Sequence, residues 1–300
     1  MKYFAPESAA EAVELLQARP GAGVVAGGTD LVVTARGGGR PLPATLVAIH
    51  RVAELDQQRR TADGIVLGAL TTHAWIERSE DVRSRWSALA DASAMIGSPA
   101  TRHTGTLGGN LMNASPAMDT GSPLLVLDAS VELRGTGGIR TIGVEELLAG
   151  PGRTTAAPAE LLGAVRVPEP APGTGSAYVR LEHRRAMEIA VVGAAAAIRL
   201  GPDGVITSAR IAVTAVAPVC LRIPDAEAGL LGLRPDPDAL ATASHVALAA
   251  VRPITDVRAS ADYRRSMTAV VVTRALALAA RRAAGQATDD RPPAGIRRAS

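Results

Sequence analysis

The sequence predicts an α+β protein made of two successive parts. Short apolar runs typical of buried strands alternate with capped, periodic stretches typical of helices. A cluster of proline and glycine at 168–173 predicts a boundary between a first domain over 1–170 and a second over 174–284. The chain has 300 residues, of which 47% are hydrophobic and 20% charged. These values exclude a disordered or fibrous protein and allow more than one folding unit.

The first domain begins with a capped helix. Ser8 and Glu11 form an S-x-x-E capping box, which predicts a helix from about Ala9 to Ala18. The elements predicted after it are strands over 24–26, 45–49, 64–69 and 131–134, and helices from near 72, over 86–96 and over 144–148, with an ordered loop and a short helix within 105–119.

The second domain begins with strands and ends with helices. Gly201-Pro202-Asp203-Gly204 is a strong hairpin signal between two apolar runs. The predicted elements are strands over 177–181, 191–200 and 211–217, and helices over 225–231, 237–251 and 261–283. Residues 285–300 are predicted to be a disordered tail.

The charge distribution argues against a nucleic-acid partner. Lys and Arg number 32 and Asp and Glu number 29, which gives a net charge of +3. Residues 281–300 carry five Arg and two Asp, also +3, so the rest of the chain is formally neutral. Because aromatic residues make up only 2% of the chain, stacking platforms for single-stranded nucleic acid are not expected either.

The cysteine count and the lengths of the apolar runs indicate the cellular compartment in which the chain is expected. Cys220 is the one cysteine of the chain, so an internal disulfide, a four-cysteine zinc site and a cysteine-ligated iron–sulfur cluster are excluded. The longest apolar stretches, 189–198 and 267–280, are shorter than the ~18–20 residues of a membrane span. The charged N-terminal stretch does not suit a signal peptide. We therefore expect a cytoplasmic protein without a membrane partner.

Two glycine-rich segments are the main candidates for a binding site. Gly27-Gly28-Thr29-Asp30 follows the apolar run Val24-Val25-Ala26, and glycine lets a backbone approach an anion closely. The second segment, 104–110, contains Thr106, Gly109 and Asn110, and Ser115 and Asp119 follow it. Each segment alone suits a structural turn as well as a phosphate cradle. Together they favour a nucleotide site.

Other polar residues allow either a functional or a purely structural interpretation. His73, His103 and Asp119 occur without a nucleophile elbow or a zinc-binding motif, so neither a hydrolytic triad nor a metal site is predicted. Arg180, just after the domain boundary, suits either a solvated strand end or a side chain that reaches back across the boundary to a ligand.

Five motifs in fixed order resemble one family. The sequence closely resembles the FAD-binding medium subunit of molybdenum-containing hydroxylases of the xanthine, carbon monoxide and nicotine dehydrogenase type. The resemblance extends from Met1 to about Arg282, and the motifs that carry it are VVAGGTDLV, GALTTHAWIE, IGSPATRHTGTLGGNLMNASPAMDTGSPLLVLDA, VAPVCLR and DVRASADYRR.

The resemblance implies a fold and a function. The fold is a FAD-binding domain of the vanillyl-alcohol-oxidase-like (PCMH) type, with subdomains over about 1–57 and 58–170, followed by a C-terminal α/β domain like that of the carbon monoxide dehydrogenase flavoprotein. FAD in such a subunit receives electrons from a [2Fe–2S] small subunit and passes them to NAD+, dioxygen or a quinone. A large subunit holds molybdopterin. Because Cys220 alone cannot ligate a cluster, the clusters must lie on other chains.

The resemblance also implies roles for individual residues. Residues 24–30 and the second segment would wrap the diphosphate and the adenosine ribose. Asp119 would bind polar atoms of the flavin or ribityl group, Ile96 would lie against the isoalloxazine ring, and Arg180 would lie near its pyrimidine edge. The cofactor-binding set is Val24, Val25, Ala26, Gly27, Gly28, Thr29, Asp30, Ile96, Thr106, Gly109, Asn110, Ser115, Asp119 and Arg180.

The sequence departs from the family pattern in one loop and at one cation. Many relatives read G-S-x-Q-I-R-N before the second glycine segment, where this chain has Ala100 and His103 in place of Gln and Asn. Arg180 stands where relatives often have Lys. The changes at Ala100 and His103 leave one alternative open, a stand-alone FAD enzyme acting on a small molecule. A further alternative is a subunit that has lost FAD and binds only its partners, and the intact Gly27-Gly28 and Gly108-Gly109-Asn110 argue against it.

Overall fold

A three-stranded parallel sheet opens the fold. The computed structural model describes residues 1–37, 39, 41–184 and 186–286. Within them, the first elements are β1 (Lys2–Phe4), α1 (Ala9–Gln17), β2 (Gly23–Val25), α2 (Thr29–Arg36) and β3 (Thr45–Ala48), followed by a 3-10 turn at Ala53–Leu55. The strand order is β1-β3-β2. Ser8 caps α1 by accepting from the Glu11 N–H, as predicted.

A five-stranded antiparallel sheet and a group of short helices follow. The elements are β4 (Gln58–Thr61), β5 (Gly64–Gly68), α3 (His73–Arg78), α4 (Glu80–Arg85), α5 (Ser87–Met95), α6 (Pro99–Thr104), α7 (Leu107–Asn113), α8 (Gly121–Val126), β6 (Ser130–Gly135), β7 (Gly138–Gly143), α9 (Val144–Leu147), β8 (Leu148–Gly150), β9 (Arg153–Thr154) and β10 (Leu161–Pro168). The order in the sheet is β4-β5-β10-β6-β7. Its apolar face packs on the helices.

The C-terminal part is an antiparallel sheet covered by two long helices. Its elements are β11 (Thr174–Leu181), β12 (Val192–Leu200), β13 (Ile206–Thr214), β14 (Leu221–Arg222), α10 (Pro224–Ala228), α11 (Pro237–Ala250) and α12 (Ala261–Ala283). The strands lie in the order β11-β12-β13-β14. Ser260 accepts from the Tyr263 N–H and caps α12, whose bounds match the predicted helix.

Strand β11 serves two hydrophobic cores. Side chains alternate across a strand, so Ala177, Val179 and Leu181 point to one face and Tyr178 to the other. The first three pack in the core beneath α11 and α12. Tyr178 packs in the core of the first part, where Ala195 of β12 joins it. The sheet of the C-terminal part therefore completes the core of the first part.

Ion pairs fix the junction between the two parts. Glu169 accepts from Arg60 at 2.7 Å and from Arg85 at 2.5 Å, just where the chain leaves β10. Near the end of α12, Arg282 forms a two-point pair with Asp91 of α5, at 2.6 and 3.0 Å. The proline-rich segment predicted as a boundary is thus held at its start by the first part.

Several elements were not predicted. Helix α6 begins at Pro99, because proline fits the first turn of a helix. Other elements that were not predicted include β1, α2, β4, α4, α8, β7, β8, β9 and β14. The predicted disordered tail lies outside the described residues beyond Gln286, and the predicted domain bounds stay predictions. No helix in the described part of the chain is long and apolar enough to cross a membrane.

Candidate functional site

The first glycine segment turns β2 into the N-terminus of α2. Gly28 has a φ of +67°, a left-handed conformation that favours glycine, and α2 begins at Thr29. No side chain caps this helix within the described residues. The N–H groups of its first turn, together with the positive end of the helix dipole, suit an anion. Val24 to Ala26 lead into this turn and are partly exposed.

The second glycine segment begins α7. Thr106 accepts from the Gly109 N–H at 3.1 Å and so caps the helix with its own hydroxyl. Gly109 is exposed, and a Cβ atom there would meet nothing within 4 Å except the Thr106 Oγ1, at 2.9 Å. The surface beside Gly109 is therefore open to a ligand.

The structure brings the two glycine segments into contact. A Cβ atom at Gly27 would overlap the carbonyl oxygen of Thr104 and lie 2.7 Å from its carbonyl carbon. The Asn113 amide donates to Asp30 at 3.2 Å, which joins the helix of the second segment to the helix of the first. Only glycine at position 27 allows this approach. Two segments predicted separately thus form one site.

Polar side chains lie behind the second segment. Thr120 donates its hydroxyl proton to the Asn110 Oδ1 at 2.6 Å, and the Ser115 Oγ accepts from the Ala117 N–H at 3.2 Å. Asp119, next to Thr120, is buried. Burial raises the pKa of Asp119, and the positive charge of Arg180 opposes this effect.

Arg180 reaches back across the predicted domain boundary to Asp119, and its predicted contact with a ligand stays a prediction. Its side chain is enclosed, with 1% of the residue exposed, which rules out the solvated strand end. The guanidinium pairs with Asp119 at 2.8 Å and with Glu182. Both partners are acidic, so they balance the charge of Arg180. A direct effect of Arg180 on a flavin ring stays a prediction.

The loop after α5 carries Ile96. This residue is partly buried, and its carbonyl accepts from Arg102 at 3.1 Å. The next carbonyl, that of Gly97, accepts from the N–H of Met187 in the loop between β11 and β12, at 3.0 Å. Ala100 and His103, the two departures from the family pattern, are exposed on α6. A contact of Ile96 with the isoalloxazine ring stays a prediction.

His73 lies beneath the second glycine segment. The backbone N–H of His73 donates to the carbonyl of Gly105 at 3.1 Å, and the ring Nδ1 is buried without a hydrogen-bond partner. His73 is 2% exposed, and burial together with the nearby charge of Arg102 lowers the pKa of His73 to about 4. The imidazole is therefore neutral near pH 7. Among the described residues, no cluster of potential ligands could hold a metal ion.

The buried His73 predicts acid-sensitive stability. The unfolded chain takes up a proton on this histidine near pH 6.5, whereas the folded chain does so only near pH 4. The free energy of unfolding should therefore fall as the pH drops from 6.5 to 4, by roughly 3 kcal/mol from this residue. Urea unfolding at pH 7 and pH 4.5 measures it. His73→Gln, which cannot titrate, should show a smaller drop, and an equal drop would contradict the assignment.

Sequence reasoning missed two residues that organise the site. Thr120 and Arg102 each hold a predicted residue, Asn110 and Ile96 respectively, by a hydrogen bond. Arg102 could have been noted, since it is the arginine retained from the family loop pattern. Thr120 carries no local signal, because its contact depends on how α7 and α8 fold together.

Family comparisons identify both parts of the chain. Residues 1–170 match the family model described as the FAD binding domain in molybdopterin dehydrogenase. Residues 177–279 match the model described as the CO dehydrogenase flavoprotein C-terminal domain.

Individual relatives agree over most of the chain. The carbon monoxide dehydrogenase medium chain of Hydrogenophaga pseudoflava is 34% identical over 92% of this chain and 95% of its own. The xanthine dehydrogenase FAD-binding subunit of Escherichia coli O157:H7 is 31% identical over 75% of this chain and 77% of its own. A solved carbon monoxide dehydrogenase structure from Hydrogenophaga pseudoflava superposes with a TM-score of 0.90 at 34% identity, covering 94% of this chain and 98% of that one.

The geometry of the site fits the cofactor that these likenesses indicate. A diphosphate needs free N–H donors, which the uncapped start of α2 supplies, and the Gly27–Thr104 contact places the second glycine segment beside this helix start. The predicted fold and the predicted FAD cofactor are confirmed. This chain therefore belongs to the family of FAD-binding domains in molybdopterin dehydrogenases and is a flavoprotein of the oxidoreductase class.

Proposed function

We propose that the chain is the electron-transfer subunit of a molybdenum hydroxylase complex. FAD, when bound, carries electrons from [2Fe–2S] clusters on a small partner subunit to NAD+, dioxygen or a quinone. A large partner subunit holds molybdopterin and oxidises the substrate. The observation that carries this proposal is the cradle formed where Gly27 meets Thr104 beside the uncapped start of α2.

The residues of the cradle have different roles in binding the diphosphate. The first-turn N–H groups at Thr29 and Asp30 bind the diphosphate, while Gly27 allows the contact with Thr104 and Gly28 forms the left-handed turn that begins the helix. The Thr106 hydroxyl already holds the Gly109 N–H, so Thr106 contributes by shaping the first turn of α7. Asn110 and Ser115 complete the cradle.

The lone cysteine supports separate subunits for the metal centres. Cys220 is buried against the backbone of Met118 and the hydroxyl of Thr214. Burial raises the pKa of Cys220 to about 12, so the thiol stays protonated and does not ligate iron. The relatives' names as a medium chain and an FAD-binding subunit support partners of this kind. A free thiol also supports a reducing, cytoplasmic location.

Co-expression of this chain with the chains encoded by the neighbouring reading frames tests this function. A tag on this chain should recover a complex that contains FAD, iron and molybdenum, and the substrate of the complex should bleach the flavin absorbance. The isolated chain should bind FAD without oxidising that substrate. Turnover of a small substrate by the isolated, FAD-loaded chain, with no partner recovered, would instead support a stand-alone flavoenzyme.

A further inference from the structure

A buried polar cluster joins β11 to the loop that follows α7. Tyr178 and Arg180 lie two residues apart and so project from the same face of the strand. The Tyr178 hydroxyl donates to Asp119 Oδ1 at 2.7 Å, and Arg180 Nη1 donates to Asp119 Oδ2 at 2.8 Å. Both carboxylate oxygens of Asp119 are therefore held by the C-terminal part of the molecule.

From Asp119 the connection continues to both glycine segments. The next residue, Thr120, donates to the Oδ1 of Asn110 at 2.6 Å. Asn110 directly follows Gly109 in the second glycine segment. At the end of the same helix, Asn113 donates to Asp30 of the first segment at 3.2 Å. A displacement of Asp119 would thus be transmitted through Thr120 to α7, and through α7 to α2.

The ring of Tyr178 is fully enclosed by its neighbours. Tyr178 is 0% exposed, and a Cβ atom at Gly193 of the neighbouring strand would lie 3.0 Å from the ring carbon that bears the hydroxyl. Burial also raises the pKa of Tyr178, so its hydroxyl keeps the proton that it donates. The direction of the hydroxyl is therefore fixed by the sheet of the C-terminal part.

We propose that Tyr178 is a positioning residue for the FAD site, acting on the second glycine segment through Asp119 and Thr120. The proposal rests on the FAD site of the proposed function, but not on the electron acceptor or the partner subunits. Tyr178 does not touch the cofactor cradle itself. Its role is to hold the backbone beside Gly109 and Asn110 where the cradle is complete.

The variant Tyr178→Phe tests the proposal with little change in packing. It removes one hydroxyl and leaves the Asp119–Arg180 pair in place. We expect the dissociation constant for FAD to rise about tenfold, measured as flavin release from the FAD-loaded protein, with partner subunits if these co-purify. Tyr263→Phe is the matched control, because Tyr263 packs against the C-terminal core away from Asp119, and it should leave flavin release unchanged.

A double-mutant cycle separates positioning from general stability. Thr120→Val breaks the link to Asn110 without touching β11 and should also weaken FAD binding. If both residues act along one path, Tyr178→Phe with Thr120→Val should weaken binding by less than the product of the single effects. Equal FAD release by wild type and Tyr178→Phe, or independent multiplication of the two effects, would overturn the proposal. Failure of the wild-type chain to bind FAD would overturn the FAD site instead.

Discussion

Replacing Arg180 with alanine is expected to lower the free energy of unfolding by about 3–5 kcal/mol. The substitution leaves the carboxylates of Asp119 and Glu182 buried without their cation, and an uncompensated buried charge costs far more than a lost surface pair. It also removes a large enclosed side chain from the junction of the two parts. Urea unfolding followed by circular dichroism measures the effect.

Two further variants serve as controls for the effect of Arg180→Ala on the free energy of unfolding. Arg210→Ala removes an arginine whose partner, Asp128, has 66% of its side chain exposed, and it should cost at most about 1 kcal/mol. Arg180→Lys keeps the charge but loses the two-sided fork, and it should fall between wild type and Arg180→Ala. A loss for Arg180→Ala no larger than that of Arg210→Ala would show that the buried cluster does not stabilise the junction.

Replacing Gly27 with alanine should weaken FAD binding about 100-fold. The added methyl group overlaps the backbone carbonyl of Thr104, which cannot rotate away as a side chain could. The two glycine segments must then separate, and the Asp30–Asn113 hydrogen bond is strained with them. At an overpacking cost of about 3 kcal/mol, the dissociation constant for FAD rises about 100-fold. Flavin content of the purified protein and FAD titration of the apoprotein both report it.

Gly137 provides the control for this substitution. It lies in the turn between β6 and β7, and a Cβ atom there would meet nothing within 4 Å. Gly137→Ala should therefore bind FAD as the wild type does. If Gly27→Ala also retained its FAD, the close contact of the two segments would not be the basis of the cradle.

Helix α12 could be predicted from the sequence alone, whereas α2 and β7 could not. Helix α12 was predicted over its whole length because Ser260 marks its start and its apolar residues recur at helical spacing. Helix α2 has no buried residue, so Leu31, Val32 and Val33 follow one another without helical periodicity. Strand β7 also has no buried residue, so it shows no alternation of buried and exposed positions.

The candidate site was predictable as two parts but not as a whole. Glycine at 27, 28 and 109 identified both segments, because a close backbone approach or a left-handed turn requires glycine at that position. The contact between Gly27 and Thr104 depends on folding over 77 residues and leaves no local pattern. Arg180 was ambiguous for the same reason, since its partner Asp119 lies 61 residues away.

The two-faced strand β11 constrains how chains of this kind can be recombined. A C-terminal part transplanted onto another FAD-binding part keeps the core beneath α11 and α12, which is its own. It also brings Tyr178 and Arg180 on the opposite face, and these need an acid where Asp119 stands and an apolar surface around it. A crossover at the proline-rich junction therefore yields a viable chimera only when positions 119 and 180 are inherited as a matched pair.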